Sequence, residues 1–227
     1  MIFEQVLGHD NTIRFTVHPE EIWTLTTLTI GTKGKPKRPS PSKSSFPLPF
    51  TQIFDDEQIP SPPKFWYDQM GAFEIAAEAH GSNNQVMRQV SPVWPACWGY
   101  SCTGPTTYFG AQEFQTSTVL HVSIDVKLET EDAAFTLFAG SVGVTLNSRN
   151  GGSFNVGNGT KGTAMFTKGT WHTVELSMVA NGLLNATLDG VLLGSSTNVP
   201  SDKGLYFKVQ FDSYIYAQLD NWKISQP

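Results

Sequence analysis

Apolar and polar residues alternate with period two over residues 171–179, the pattern of a strand with one face buried. Trp171, Thr173, Glu175, Ser177 and Val179 share one face, and His172, Val174, Leu176 and Met178 share the other. Asn181-Gly182 supplies the positive φ angles of a tight hairpin turn. Residues 184–188 follow as a second strand, Asp189-Gly190 turns again, and residues 191–193 begin the return. The same reading predicts strands at 12–17, 22–30, 73–77, 85–90, 116–127, 133–138, 142–146, 163–166, 204–211 and 216–225. Residues 92–108 are expected to form one long loop. No stretch carries the 3.6-residue period of a long amphipathic helix. Many short strands at this spacing predict an antiparallel sandwich. Trp171 and Trp222, on alternating strands, are expected in its core.

Composition agrees. Among 227 residues, 20 are Gly, 14 are Pro and only 15% are charged, which favours turns and strands. The length is enough to bury an independent core. A net charge of −5 argues against general nucleic-acid binding. No apolar run reaches membrane-spanning length, and the first residues lack the apolar core of a signal peptide.

The chain divides by composition into three parts. Residues 1–30 form a few strands, too few for a sheet of their own. Residues 31–49 form a linker rich in Pro, Ser and Lys, held extended by its prolines. Residues 50–227 form the large β unit.

Two cysteines, Cys97 and Cys102, stand five apart in a loop rich in Trp, Gly and Pro. A short disulfide loop is the preferred reading, with two thiols as the alternative. Asn158-Gly-Thr and Asn185-Ala-Thr are N-glycosylation sequons, each weak evidence for secretion. His121 and His172 have no second His at a ligand spacing and are expected to be structural.

Several short pieces, kept in order along nearly the whole chain, resemble the galactosylceramidase family of glycosidases (glycoside hydrolase family 59). They include Asp68-Gln-Met-Gly-Ala-Phe-Glu74, Met87-Arg-Gln-Val90, Phe138-Ala-Gly-Ser-Val142 and Tyr216-Ala-Gln-Leu-Asp-Asn-Trp222. Cys97-Trp-Gly-Tyr-Ser-Cys102 departs from the pattern of that family. The resemblance implies an all-β, concanavalin/laminin-G-like antiparallel jelly-roll sandwich over 50–227. It would be preceded by the terminal strands of a second β-sandwich. In that family two catalytic Glu residues sit on a (β/α)₈ barrel ahead of the sandwich. This chain is therefore expected to lack the carboxylate pair and to be inactive alone.

The resemblance also implies sites. A structural Ca²⁺ would use the Asp220 carboxylate and backbone oxygens near Gln58 and Gln85, with Asp56 as a further ligand. Such an ion takes about six to eight oxygens at about 2.3–2.6 Å. The competing reading is that Asp55 and Asp56 merely cap a turn. Trp94 corresponds to a lectin-domain Trp that reaches into the galactose pocket of the family. An indole face suits the C–H face of a sugar, although loop packing is the plainer role.

Three functions follow from different classes. The first is a non-catalytic lectin-like portion of a galactosylceramidase-type hydrolase. The parent reaction would be hydrolysis of galactosylceramide to ceramide and galactose. Its partners would be a galactose-containing glycolipid, the missing barrel and a lipid-presenting activator protein, in a lysosomal or secreted setting. The second is a stand-alone carbohydrate-binding lectin. The third is a structural or partner-binding sandwich. Fold alone does not choose among them.

Overall fold

The computed structural model describes residues 46–79, 83–96, 102–114, 119–179, 182–197 and 205–226, without the side chains of 111–114 and 205. The chain divides into two units, Met1–Ser44 and Ser45–Pro227, and the description concerns the second. The strands expected at 12–17 and 22–30, and most of the linker, lie outside the described residues.

Two antiparallel sheets make up the unit. The first joins β1 (Phe50–Gln52), β3 (Phe73–Ala77), β4 (Gln85–Gln89), β6 (Leu120–Leu128), β11 (His172–Val179), β12 (Leu183–Leu188), β13 (Val191–Ser196) and β15 (Ala217–Ser225). Its order is β13-β12-β11-β6-β15-β4-β3, with β1 also on β15. The second joins β2 (Trp66–Met70), β5 (Thr106–Phe114), β7 (Ala134–Ala139), β8 (Val142–Asn147), β9 (Ser153–Val156), β10 (Thr160–Gly162) and β14 (Leu205–Phe211). Its order is β10-β9-β8-β7-β14-β5-β2. This is the expected all-β jelly-roll sandwich, closed by inward rows such as Val122, Ile124 and Val126 against Phe135, Leu137 and Val209. Among the described residues no helix is long and apolar enough to cross a membrane.

The alternation of β11 appears as expected: His172, Val174, Leu176 and Met178 point inward and are buried. Val174 to Val179 pair with Leu188 to Leu183, and Val174 also faces Ile124 across β6. The Asp189-Gly190 turn takes φ 51° and 78°, both left-handed, which Asp and Gly tolerate. Trp222 is fully buried and meets Trp66, Phe109 and Phe207 with ring centroids 5.1, 5.0 and 5.7 Å away. Edge-on contacts of this kind are favoured by the ring quadrupole.

Three expectations need correction, and one strand was not expected at all. Trp171 is not in the core. It lies just before β11 on the outer side, donating its indole N–H to Glu78 Oε1 at 2.9 Å with Lys127 over its ring. An amphipathic indole beside a carboxylate is better placed at the surface than inside. Residues 163–166 form no strand. Phe166 instead plugs the core as part of an irregular segment passing over Gly152, where a β-carbon would collide with Ala164 O. The long loop expected over 92–108 ends before Thr106, where β5 begins. Finally β2, with a single buried residue, has no alternation to betray it.

The last strand changes partners midway. Its first half pairs with β4, ending at Leu219 opposite Met87, and its second half pairs with β1, beginning at Trp222 opposite Gln52. Between them the register with β6 shifts, and Asn221 takes φ 51°. This β-bulge turns Asp220 and Asn221 out of the regular alternation, a device common beside functional sites.

Candidate functional site

At the gap between β4 and β1 the turn after β1 meets the start of β4. Glu57, itself buried, anchors that turn by accepting hydrogen bonds from Gln52 Nε2 at 2.6 Å and Lys64 N at 3.1 Å. Gln52 completes the anchor by accepting from the Trp66 indole at 3.1 Å. The anchored turn presents Asp55 to β4. Gln85 N donates to Asp55 Oδ1 at 2.9 Å, and Gln85 Nε2 donates to Asp55 O at 2.9 Å.

Asp220 faces the same place and is 5% exposed. Its Oδ2 accepts from Asn84 Nδ2 at 2.9 Å, and its Oδ1 from Asn221 N at 2.7 Å. Burial pushes the Asp220 carboxyl above the usual carboxylate range. The Asn84 and Asn221 donors oppose that push, and the charges of Asp125 and Asp55 add to it. Gln85 Oε1 is buried and has no hydrogen-bond partner.

A buried carboxylate under negative field, beside an amide oxygen with nothing to accept from, suits a hard cation. The Asp220 carboxylate and Gln85 Oε1 are the side-chain oxygens such a cation could use here. Asp56 and Gln58 lie on the exposed turn, and Gln58 O accepts from Ser61 Oγ at 2.6 Å. Asp55, rather than Asp56, is the acid bonded to Gln85. No group of three or more His, Cys, Asp or Glu among the described residues is arranged to hold a metal. Amide and backbone oxygens would thus have to complete the shell.

Trp94 occupies the loop leaving the other end of β4. It is 53% exposed, next to Val93 at 70%. One side of the indole rests on Tyr214, with ring centroids 4.6 Å apart at 53°. Tyr214 is buried, and its hydroxyl donates to Thr103 O at 3.4 Å. Burial pushes the Tyr214 phenol up. A buried tyrosine thus makes a shelf for an exposed indole. The length of β4, roughly 13 Å of strand, separates this loop from the acidic gap. The structure therefore does not bring Trp94 and Asp220 together.

Other predicted site residues scatter. Cys102 is disulfide-bonded, while Cys97 lies outside the described residues. Asn158 is exposed at the turn between β9 and β10. Asn185 is half-buried on β12, where its Oδ1 accepts from Ser195 Oγ at 2.6 Å. His172 is buried between Asp189 and Thr167, as a structural histidine should be. Sequence reasoning missed Asn84, Asp125 and Asn221. The non-Gly residue at positive φ that marks the bulge leaves no mark in residue type alone.

The fold defines the chain as an antiparallel β-sandwich module of jelly-roll type. Residues 68–227 match the model of the galactocerebrosidase C-terminal lectin domain, and the chain belongs to that family. It is 27% identical to galactocerebrosidase of Canis lupus familiaris over 96% of this chain and 35% of that protein. It is 28% identical to galactocerebrosidase of Salmo salar over 95% of this chain and 35% of that protein. The chain thus spans about a third of the length of these relatives. Among solved structures, the carbohydrate-binding module CBM66 from Bacillus subtilis matches 71% of this chain and 96% of its own. Its TM-score is 0.48 at 9% identity. The galectin LEC-6 of Caenorhabditis elegans matches 56% of this chain and 93% of its own, with TM-score 0.37 at 13% identity.

Proposed function

We propose that this chain is a non-catalytic, sugar-facing portion of a galactosylceramidase-type hydrolase. It would form one wall of a pocket for galactose or a galactolipid, with Trp94 as the contact residue. The observation that carries this reading is the indole itself, half-exposed and braced from behind by Tyr214. A braced aromatic face stacks on the apolar face of a pyranose at little entropic cost. The cleaving carboxylates would come from the barrel that the family places ahead of the sandwich. The parent reaction, release of galactose from galactosylceramide in sphingolipid breakdown, belongs to that assembly. A lysosomal or secreted location and a lipid-presenting activator protein are the corresponding setting and partner.

A structural Ca²⁺ would be held by Asp220 and Gln85, with oxygens of the Asp55–Gln58 turn completing its shell. It would fasten that turn to β4 and β15 across the gap where β15 changes partners.

Calorimetry of the full chain with galactose tests the contact. Binding that disappears in Trp94→Ala, with an unchanged melting temperature, supports it. Equal binding by wild type and variant overturns it. Hydrolysis of galactosylceramide by the purified chain would overturn the non-catalytic assignment.

A further inference from the structure

A cleft of about 410 Å³ opens on the outer face of the first sheet, beside the bulge and away from Trp94. That volume lies in the range of about 300–1,000 Å³ typical of small-ligand sites. Its floor is a grid fixed by strand register. Glu175 of β11 stands opposite Ser123 of β6, which stands opposite Lys223 of β15, which stands opposite Thr51 of β1. One residue pair along, Thr173 stands opposite Asp125. Pro49 supplies an apolar part of the lining, while the Phe50 ring turns inward onto Phe109 at 5.5 Å.

The polar groups divide into two sets. One set is held by its neighbours. Asp125 accepts from Thr173 Oγ1 at 2.6 Å and from Asn221 Nδ2 at 2.8 Å. Glu175 accepts from Thr187 Oγ1 at 2.6 Å, and its other oxygen lies 3.3 Å from His121 Nε2. His121 Nδ1 meets Ser177 Oγ at 2.9 Å. These bonds fix the carboxylates in place and leave each oxygen a lone pair to spare.

The other set is unused. The side chains of Ser123, though buried, and of Lys223, though exposed, make no hydrogen bond or ion pair with any described residue. Asn221 keeps its carbonyl oxygen free, because its amide nitrogen goes to Asp125. The cleft therefore offers fixed acceptors, a free hydroxyl and a free ammonium within one small volume.

We propose that this cleft binds a neutral pyranose residue of a glycan, as a second sugar site separate from the Trp94 loop. A sugar hydroxyl both donates and accepts, which matches fixed carboxylate acceptors interleaved with Ser and Lys donors. The two carboxylates against one lysine disfavour an anionic ligand. Pro49 at the rim gives the C–H face of the ring an apolar neighbour. With so open a floor, affinity is expected in the millimolar range, about −4 kcal/mol. The inference rests on the lectin-type fold but not on the Trp94 contact.

The test is ¹H–¹⁵N NMR of the full chain titrated with methyl β-galactopyranoside, methyl β-glucopyranoside and, as the anionic probe, glucuronate. Shifts at the amides of Ser123, Asp125, Thr173 and Lys223 are expected with at least one neutral glycoside. Lys223→Ala and Ser123→Ala should each weaken that response about tenfold. Trp94→Ala should leave it unchanged, whatever becomes of binding at the Trp94 loop. No shift at these amides at tens of millimolar probe overturns the proposal. So does an unaltered response in both cleft variants, or a stronger response to glucuronate than to either glycoside.

Discussion

His172 Nδ1 lies 2.8 Å from Asp189 Oδ2, across the hairpin that joins β12 to β13. Thr167 N donates to the opposite ring nitrogen at 3.0 Å, so the Nδ1 proton is the one directed at Asp189. The second Asp189 oxygen accepts from Thr173 N at 2.8 Å. One turn residue thereby fastens the edge hairpin to β11 and orients a buried imidazole.

Asp189→Ala removes both bonds and places Ala at φ 51°. Lost hydrogen bonds and left-handed strain together should cost about 1–3 kcal/mol, less than their sum because the carboxylate is half exposed. Asp189→Asn, which tolerates this φ and keeps an acceptor, should cost about 1 kcal/mol or less. Urea melts of the two variants check the order. Equal losses would show that the bonds to His172 and Thr173, rather than the backbone, govern the turn.

Arg88 and Glu129 form a two-pronged pair at 2.6 and 2.8 Å, with the Glu129 side chain only 6% exposed. Gln218 Nε2 also donates to Glu129 Oε1 at 2.9 Å, and Tyr216 lies under the guanidinium. Removing one partner strands a buried charge, which costs more than the pair contributes. Arg88→Ala should lower stability by about 2–4 kcal/mol. Arg88→Leu combined with Glu129→Gln, which keeps an acceptor for Gln218, should recover most of it. A double variant as unstable as the single one would count against this account.

Acid sensitivity should reside partly in Asp212. Burial pushes its carboxyl up, but the Arg149 guanidinium, Ala134 N–H and Ser213 hydroxyl outweigh burial and hold it below its usual 3.8. A lowered carboxyl favours the folded state above the unfolded value of 3.8, and that contribution is lost as pH falls through the lower folded value. Between about pH 5 and pH 2, Asp212→Asn should lose less stability than wild type. The difference should be modest, because the pair with Arg149 is solvent-exposed and screened. Parallel acid curves would exclude the role.

Where one face of a strand is buried and the other wet, the chain announced itself. The rows of β6, β11 and β12 and the turn at Asp189-Gly190 were legible because period and turn chemistry are local. What escaped depends on neighbours distant in sequence. Trp171 was expected in the core for its size, yet it shares the polar face of its strand, and Glu78, 93 residues away, gives its indole a partner there. Asp220 was legible as an acid on the last strand. Its burial, its bulge and its approach to Asp55 arise only because β15 trades β4 for β1 at that point. Trp94 was legible as a loop aromatic, but the Tyr214 shelf beneath it was not.

The Ca²⁺ proposed above would sit at that exchange of partners. At Asp220 and Asn221 no described strand pairs on one side, and the Asp55 turn bridges the gap through its two bonds with Gln85. Gln85 Oε1 is left unsatisfied, and Asp220 is buried under the charges of Asp125 and Asp55. A divalent ion would relieve both penalties. A ligand bound only to the folded chain stabilises it by about 2.7 kcal/mol at a hundredfold excess over its Kd. Calcium should therefore raise the melting temperature, and excess chelator should lower it to the value of the metal-free chain. Asp220→Asn should abolish the calcium response. Asp55→Asn and Asp56→Asn, compared side by side, identify which acid of the turn takes part. A melting temperature that ignores both calcium and chelator would remove the ion and leave Gln85 Oε1 as an unpaid cost of the bulge.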